Sequence, residues 1–165
     1  MESEPKDVIV LGSIRRGKKK FSDIQNETKI SPEELNSILE ELENRKFIRV
    51  EKSKGWFGGK IELKITEEGS NELDQKIIEI QDKWKEMQLI YESGDKQKLQ
   101  QKMEENKSFL PTMMFFGVMD MMMFSMMFSM MGIGMSDYVS QENMPNEDIG
   151  DENMSDEGYD FDIGF

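Results

Sequence analysis

One stretch near the end of the chain limits its fold more than any other. This stretch, the methionine run at residues 109–135, contains eleven methionines, no lysine, arginine or glutamate, and a single charge, Asp120. Its few polar residues are spread around a helical wheel, so a helix formed here has no polar face. A helix that is apolar on all sides must be enclosed by protein or by lipid. The run must therefore be buried either in protein or in a lipid bilayer.

Four interpretations of the methionine run remain open from the sequence. About twenty apolar residues are enough to span a bilayer, and Lys102 and Lys107 before the run would keep the N-terminus in the cytoplasm. Asp120 would then lie near the bilayer centre, at a cost on the order of a few kcal/mol. Alternatively, the flexible methionines hold apolar segments of other proteins, or form a self-association core. Methionine pairs one helical turn apart would also suit Cu(I).

The composition excludes several classes of function. The chain has 165 residues, with no cysteine and no histidine. Disulfides, thiolate metal sites, cysteine nucleophiles and imidazole acid–base catalysis are therefore excluded. We expect a protein that is not an enzyme and that uses no cofactor or metal. The first residues carry acids and a proline where a secretion signal would be basic and then apolar, so a cytoplasmic location is expected.

The distribution of charge divides the chain into four parts. Residues 1–70 contain 14 basic and 14 acidic residues, whereas residues 136–165 contain 10 acidic and no basic residues. The last part has no sustained apolar period and is rich in Asp, Glu, Asn and Gly, which predicts an acidic disordered tail. Residues 71–108 are predicted to form a long helix and a short polar helix. The methionine run, residues 109–135, lies between these helices and the tail.

The first part carries signals for three short helices. The apolar residues within positions 8–14 predict the first helix. Ser22 has the spacing of a capping-box N-cap for the second. Ser31 followed by Pro32 is a strong start signal for the third helix, which should run to about Lys46. The buried face predicted for the third helix consists of Leu35, Ile38, Leu39 and Leu42.

The hydrophobic period then changes from helical to alternating. Ile48 and Val50 alternate with charged residues, and the alternation resumes at residues 61–65 after a glycine-rich loop. This pattern predicts a β-hairpin, followed by a long helix that begins near Thr66. Three helices, a hairpin and a further helix are the order of a winged helix-turn-helix domain. We therefore predict a mainly α fold with a small β-hairpin.

The runs ISPEELNSILEELENRKFIRV and IELKITEEGSNELD resemble the core of MarR- and PadR-type archaeal and bacterial winged-helix regulators. The resemblance covers residues 7–75 and implies DNA binding, with the third helix in the major groove and the hairpin, or wing, on the adjacent backbone. Basic residues before the second helix and in the wing offer phosphate contacts. The candidate nucleic-acid-binding residues are Arg15, Arg16, Lys18, Lys19, Lys20, Asn36, Ser37, Lys52, Lys54, Trp56 and Lys60.

The groove-facing side of the third helix also carries acids. Glu40 and Glu41 share that side with Asn36 and Ser37, and carboxylates oppose an approach to phosphates. Winged helices also dock proteins. The predicted function is a transcriptional regulator that binds DNA and is tethered through its methionine run to a membrane or to apolar partners. The alternative is an adaptor or chaperone-like factor that holds hydrophobic segments of clients.

The helix after the wing carries a stripe of apolar residues spaced by three and four positions. This heptad pattern persists for about two and a half heptads and predicts a seam between two copies of the chain. A homodimer would match the two-fold symmetry of paired DNA half-sites. Packing of the stripe within one chain is the alternative. The predicted seam residues are Leu73, Ile77, Ile80, Trp84, Met87 and Tyr91.

Overall fold

The computed structural model describes residues 5–55 and 58–139, with the side chains of residues 53–60 outside that description. Three helices open the chain: α1 (Lys6–Arg15), α2 (Phe21–Thr28) and α3 (Pro32–Asn44). The start predicted for α3 is confirmed, because the Ser31 hydroxyl accepts a hydrogen bond from the Glu34 backbone N–H at 3.3 Å. Leu35, Leu39 and Leu42 are buried as predicted.

Two helix boundaries differ from the prediction. The second helix begins at Phe21 with Lys20 at the N-cap and no side-chain cap, so Ser22 lies inside its first turn and is not the N-cap. The third helix ends at Asn44, two residues before Lys46. Lys46 adopts a positive φ of 67°, which turns the chain out of the helix and into the first strand.

The predicted hairpin is present. Strands β1 (Ile48–Gly55) and β2 (Gly58–Ile65) are antiparallel, with Ile48 opposite Ile65 and Val50 opposite Leu63. Ile48 and Leu63 are buried against the helices, as alternation requires. The backbone N–H of Leu63 donates to the Lys19 carbonyl at 2.9 Å, so the loop between α1 and α2 joins the edge of β2.

The long helix α4 (Glu67–Ser93) begins where the sequence predicts. Its N-cap, Thr66, accepts from the Gly69 N–H at 3.0 Å and donates to the Lys46 carbonyl at 2.7 Å, so one hydroxyl links the ends of α3 and α4. Gly94, at a φ of 80°, ends the helix. The short polar helix α5 (Lys96–Glu105) follows, with Leu99 and Met103 buried.

The methionine run forms two helices with a break between them. They are α6 (Leu110–Phe115) and α7 (Met121–Met131), joined through Gly117 at a φ of 66°. Asp120 is the N-cap of α7 and accepts from the N–H groups of Met122 and Met123 at 3.0 and 3.3 Å. A membrane span would place this carboxylate inside one continuous apolar helix, whereas here it stands at the start of a helix. Within residues 5–55 and 58–139, no helix is both long and apolar enough to cross a membrane.

The described chain contains two hydrophobic cores. The first lies between α1, α2, α3 and the hairpin, and α4 adds Leu73 to it. The second lies between α4, α5, α6 and α7, where Trp84 packs on Phe124 with ring centroids 6.2 Å apart. Phe116 packs against both cores. The apolar residues of the methionine run are thus largely covered by the chain's own helices.

The second core extends past the predicted boundary of the methionine run. A 3-10 turn, Met135–Asp137, follows α7, and Val139 is only 1% exposed. Tyr138 packs on Phe128 with ring centroids 5.6 Å apart. Residues 136–139 therefore belong to the folded part, and the rest of the predicted acidic tail, residues 140–165, lies outside the described residues.

Candidate nucleic-acid interface

The outward face of α3 is the candidate reading surface. Asn36 and Ser37 are exposed, and Glu40 and Glu41 are exposed beside them. The opposite face is held in the first core by Leu35 and its neighbours, which fixes the rotation of the helix. The structure therefore presents to solvent the four side chains that the resemblance places in the groove.

Cations from α1 and from the end of α3 reduce the negative charge of α3. Lys6 contacts the Glu34 carboxylate with its Nζ 3.0 Å from Oε2. Arg45 lies 3.7 Å from the Glu41 carboxylate and 3.6 Å from that of Asp7. Three further acids of α3 have no ion-pair partner in the part of the chain that the structure describes; they are Glu33, Glu40 and Glu43. The reading helix thus remains acidic.

The loop between α1 and α2, residues 16–20, is the main basic feature and is named the basic loop. Lys18, Lys19 and Lys20 are exposed, and no carboxylate of the described residues lies within ion-pair distance of them. Their backbone is anchored, because the Lys18 N–H donates to the Ser13 carbonyl at 3.1 Å and the Lys19 carbonyl accepts from β2. Three cations are therefore presented from a fixed backbone beside the wing.

The two arginines of the predicted basic run have internal partners. Arg15 lies 2.7 Å from the Asp74 carboxylate and donates to the Ser70 hydroxyl at 3.0 Å, which ties α1 to α4. Arg16 contacts Glu27 at 3.2 Å. It also donates to the Phe115 carbonyl at 2.6 Å, with its guanidinium 4.2 Å from the centroid of that ring. Both arginines hold the fold together, and the lysines are the cations left for a ligand.

The wing is only partly described. Lys52 is exposed on β1, consistent with a contact to a nucleic-acid backbone. Arg49 is exposed too, although it shares Glu51 with Lys64 at 3.5 and 3.2 Å. Arg49 was not among the predicted candidates, because only its outward position in the strand marks it. The Lys54 and Lys60 side chains, and the whole of Trp56, lie outside the described residues.

The predicted dimer seam lies inside the single chain. Leu73 and Ile77 pack in the first core. Ile80, Trp84 and Met87 are buried in the second core. Tyr91 packs against that core as well. The heptad stripe is thus covered by other helices of its own chain, and these side chains would have to leave the two cores to meet a second copy.

The family comparison follows this architecture. Residues 5–109, more than half of the chain, match the family model described as HxlR-like helix-turn-helix. The chain belongs to the HxlR-like helix-turn-helix family. HxlR-like proteins are DNA-binding transcription regulators, so the prediction of a winged-helix regulator is confirmed, whereas the MarR or PadR type is not confirmed. Comparisons with curated proteins and with solved structures found no match to this chain.

The HxlR-like match covers the winged domain, α4, α5 and the turn before α6. It ends at residue 109, where the methionine run begins. The helices α6 and α7 therefore extend the family unit and complete the second core, whose first wall is the inner face of α4.

Proposed function

We propose that this HxlR-like protein binds duplex DNA with α3 in the major groove, while the basic loop and the wing contact phosphates. The observation that carries the proposal is the exposure of Lys18, Lys19 and Lys20 on a backbone hydrogen-bonded to β2. Lysines without carboxylate partners release counterions when they contact phosphates, and this release supplies most sequence-independent affinity. Such a regulator acts where DNA is held, in the cytoplasm of an archaeal or bacterial cell.

Asn36 and Ser37 are the proposed base-reading side chains. Amide and hydroxyl groups donate to and accept from base edges in the major groove, whereas lysine contacts with phosphates carry no sequence information. Glu40 and Glu41 then contribute by repulsion, because their carboxylates disfavour any binding mode that places DNA phosphates against α3. Binding should therefore be selective and of modest affinity away from the target sequence.

The test compares two triple variants that lose the same charge. Lys18→Ala/Lys19→Ala/Lys20→Ala removes the three lysine side chains of the basic loop. The matched control, Lys85→Ala/Lys96→Ala/Lys98→Ala, removes three exposed lysines of α4 and α5. Fluorescence anisotropy with a labelled duplex should show at least about a tenfold loss of affinity for the first variant and little change for the control. Equal losses, or none, would contradict the proposed phosphate contacts.

We also propose that two copies pair on DNA with two-fold symmetry. The heptad residues are occupied within the chain, so the proposed surface is the outer face of α4. Ile78 and Leu89 are 57% and 63% exposed there, and three helical turns place them on one side of the helix. Light scattering should give a dimer mass for the full chain and a lower mass for Ile78→Lys/Leu89→Lys. If the full chain bound to DNA with paired half-sites as a monomer, the proposed pairing would be refuted.

A second candidate function is an adaptor that holds apolar protein segments. It is favoured by the acidic face of α3 and by Met122 and Met126, which are 74% and 42% exposed on α7. Methionines on a surface adapt to varied apolar partners. An anisotropy titration that detects no duplex binding at low salt, together with binding of a labelled apolar peptide that Met122→Glu abolishes, would favour this function over the regulator.

A further inference from the structure

A cleft of about 710 Å³ lies at the junction of the winged domain and the second core. The first turn of α1 forms one side, α4 and α5 form the other, and the start of α6 closes the end. Its volume falls within the range of small-molecule sites, which is about 300 to 1,000 Å³. The cleft is separate from the basic loop and from α3, and neither proposed function uses it.

Two buried polar side chains line this cleft without a hydrogen-bond partner. Asn106 is 6% exposed and Thr112 is 1% exposed. The Asn106 Nδ2 and the Thr112 Oγ1 make no hydrogen bond to any residue that the structure describes. Buried polar groups in native proteins are nearly always satisfied, because an unpaired donor costs free energy. Two such groups lining one cleft indicate a polar group that a ligand brings.

Among the described residues, one cation that lines the cleft has no carboxylate partner. Each of its four carboxylates already has a cation within 3.3 to 3.6 Å; the pairs are Asp7–Arg45, Glu79–Lys76, Glu86–Lys102 and Glu105–Lys102. The hydrogen bond from Lys102 to Glu105 raises the pKa of Lys102, so this lysine stays charged and held. Lys83 has no carboxylate partner among the described residues, and its ammonium lies 4.7 Å from the centroid of the Phe109 ring.

The remaining wall is apolar. Val8 and Ile80 line the cleft together with the Phe109 ring. A ligand that matches this lining has an apolar body against these three side chains, a negative group at Lys83, and an acceptor oxygen for the Asn106 amide. We propose that the junction cleft binds a small organic carboxylate with an apolar body, with Lys83 and Asn106 as its polar contacts and Thr112 as a third donor.

Ligand binding is measured on the full chain without DNA, so its outcome is independent of the regulator proposal. Isothermal titration calorimetry with benzoate and with hexanoate should give saturable binding in the millimolar range or tighter. Benzamide, which keeps the ring and the carbonyl but lacks the charge, should bind about tenfold more weakly, as the loss of one charge-assisted contact predicts. Absence of saturable binding by both carboxylates, or equal affinity for benzamide, would overturn the proposal.

Two variants localise the binding. Lys83→Met keeps the apolar stem and should weaken benzoate by about tenfold, whereas Lys85→Met, the matched control two residues along α4, should leave it unchanged. Thr112→Val removes the unpaired hydroxyl with almost no change of shape, so it should raise the melting temperature of the free protein and weaken benzoate. Equal effects of Lys83→Met and Lys85→Met, or unchanged benzoate affinity in Thr112→Val, would place benzoate elsewhere and refute the site.

Discussion

The contact between α1 and α6 gives the sharpest stability prediction, at Gly12. This glycine lies inside α1, and an added Cβ would be 2.5 Å from the Phe116 Cζ and 3.3 Å from the Phe115 Cε2. Gly12→Ala should gain about 1 kcal/mol of helix propensity and lose about 1 to 3 kcal/mol to overpacking. The net effect expected in the natural chain is a destabilisation of about 1 kcal/mol.

The effect of Gly12→Ala on stability should change sign once the Phe116 ring is removed. In a Phe116→Ala background the Cβ has room, so Gly12→Ala should stabilise by up to about 1 kcal/mol, giving a coupling of about 2 kcal/mol. Urea unfolding of the four proteins measures this coupling. Gly69→Ala is the control, because its Cβ would strike the Phe47 backbone carbonyl, and its cost should add to that of Phe116→Ala. If Gly12→Ala stabilised both backgrounds equally, α6 would not pack on α1.

Three further predictions concern the second core. Asp120→Ala removes the α7 cap and should cost about 1 kcal/mol in urea unfolding, with Asp120→Asn close to neutral. Phe124→Ala empties a fully buried site and should cost about 3 to 5 kcal/mol, whereas exposed Met122→Ala should change the unfolding free energy by less than about 0.5 kcal/mol. Burial, and after it the nearby Glu104 carboxylate, raises the pKa of Tyr138 above its usual value of 10.0. Tyr138 therefore loses its proton more readily in the unfolded chain, so the free energy of unfolding should fall as the pH rises past 10.0. Tyr138→Phe should flatten that fall in a pH series of unfolding curves.

Local signals account for what the sequence predicted well. The start of α3 was readable because Ser31 and Pro32 act on the next turn of their own helix. The hairpin was readable because alternation reports burial on one face. Asp120 is a comparable local signal that was not predicted as a cap, although an aspartate before an apolar run is a common helix start.

Contacts between distant residues account for what the sequence did not predict. The heptad stripe of α4 shows that one face is buried, but not which helices bury it; much of the covering surface comes from α6 and α7, which follow later in the chain. In the sequence, Arg15 and Arg16 belong to a basic run. In the fold, Arg15 pairs with Asp74 and Arg16 donates to the Phe115 carbonyl. The junction cleft has no motif, because its residues come from four separate helices and meet only in the fold.

The salt dependence of DNA binding tests the central claim most directly. For the full chain, the logarithm of the association constant should fall linearly with the logarithm of salt concentration, with a slope near −0.9 for each phosphate contacted. Lys18→Ala/Lys19→Ala/Lys20→Ala should make that slope shallower by about 2 to 3, and the control triple at Lys85, Lys96 and Lys98 should leave it unchanged. An identical slope for the two triple variants would contradict the claim that the basic loop contacts DNA phosphates.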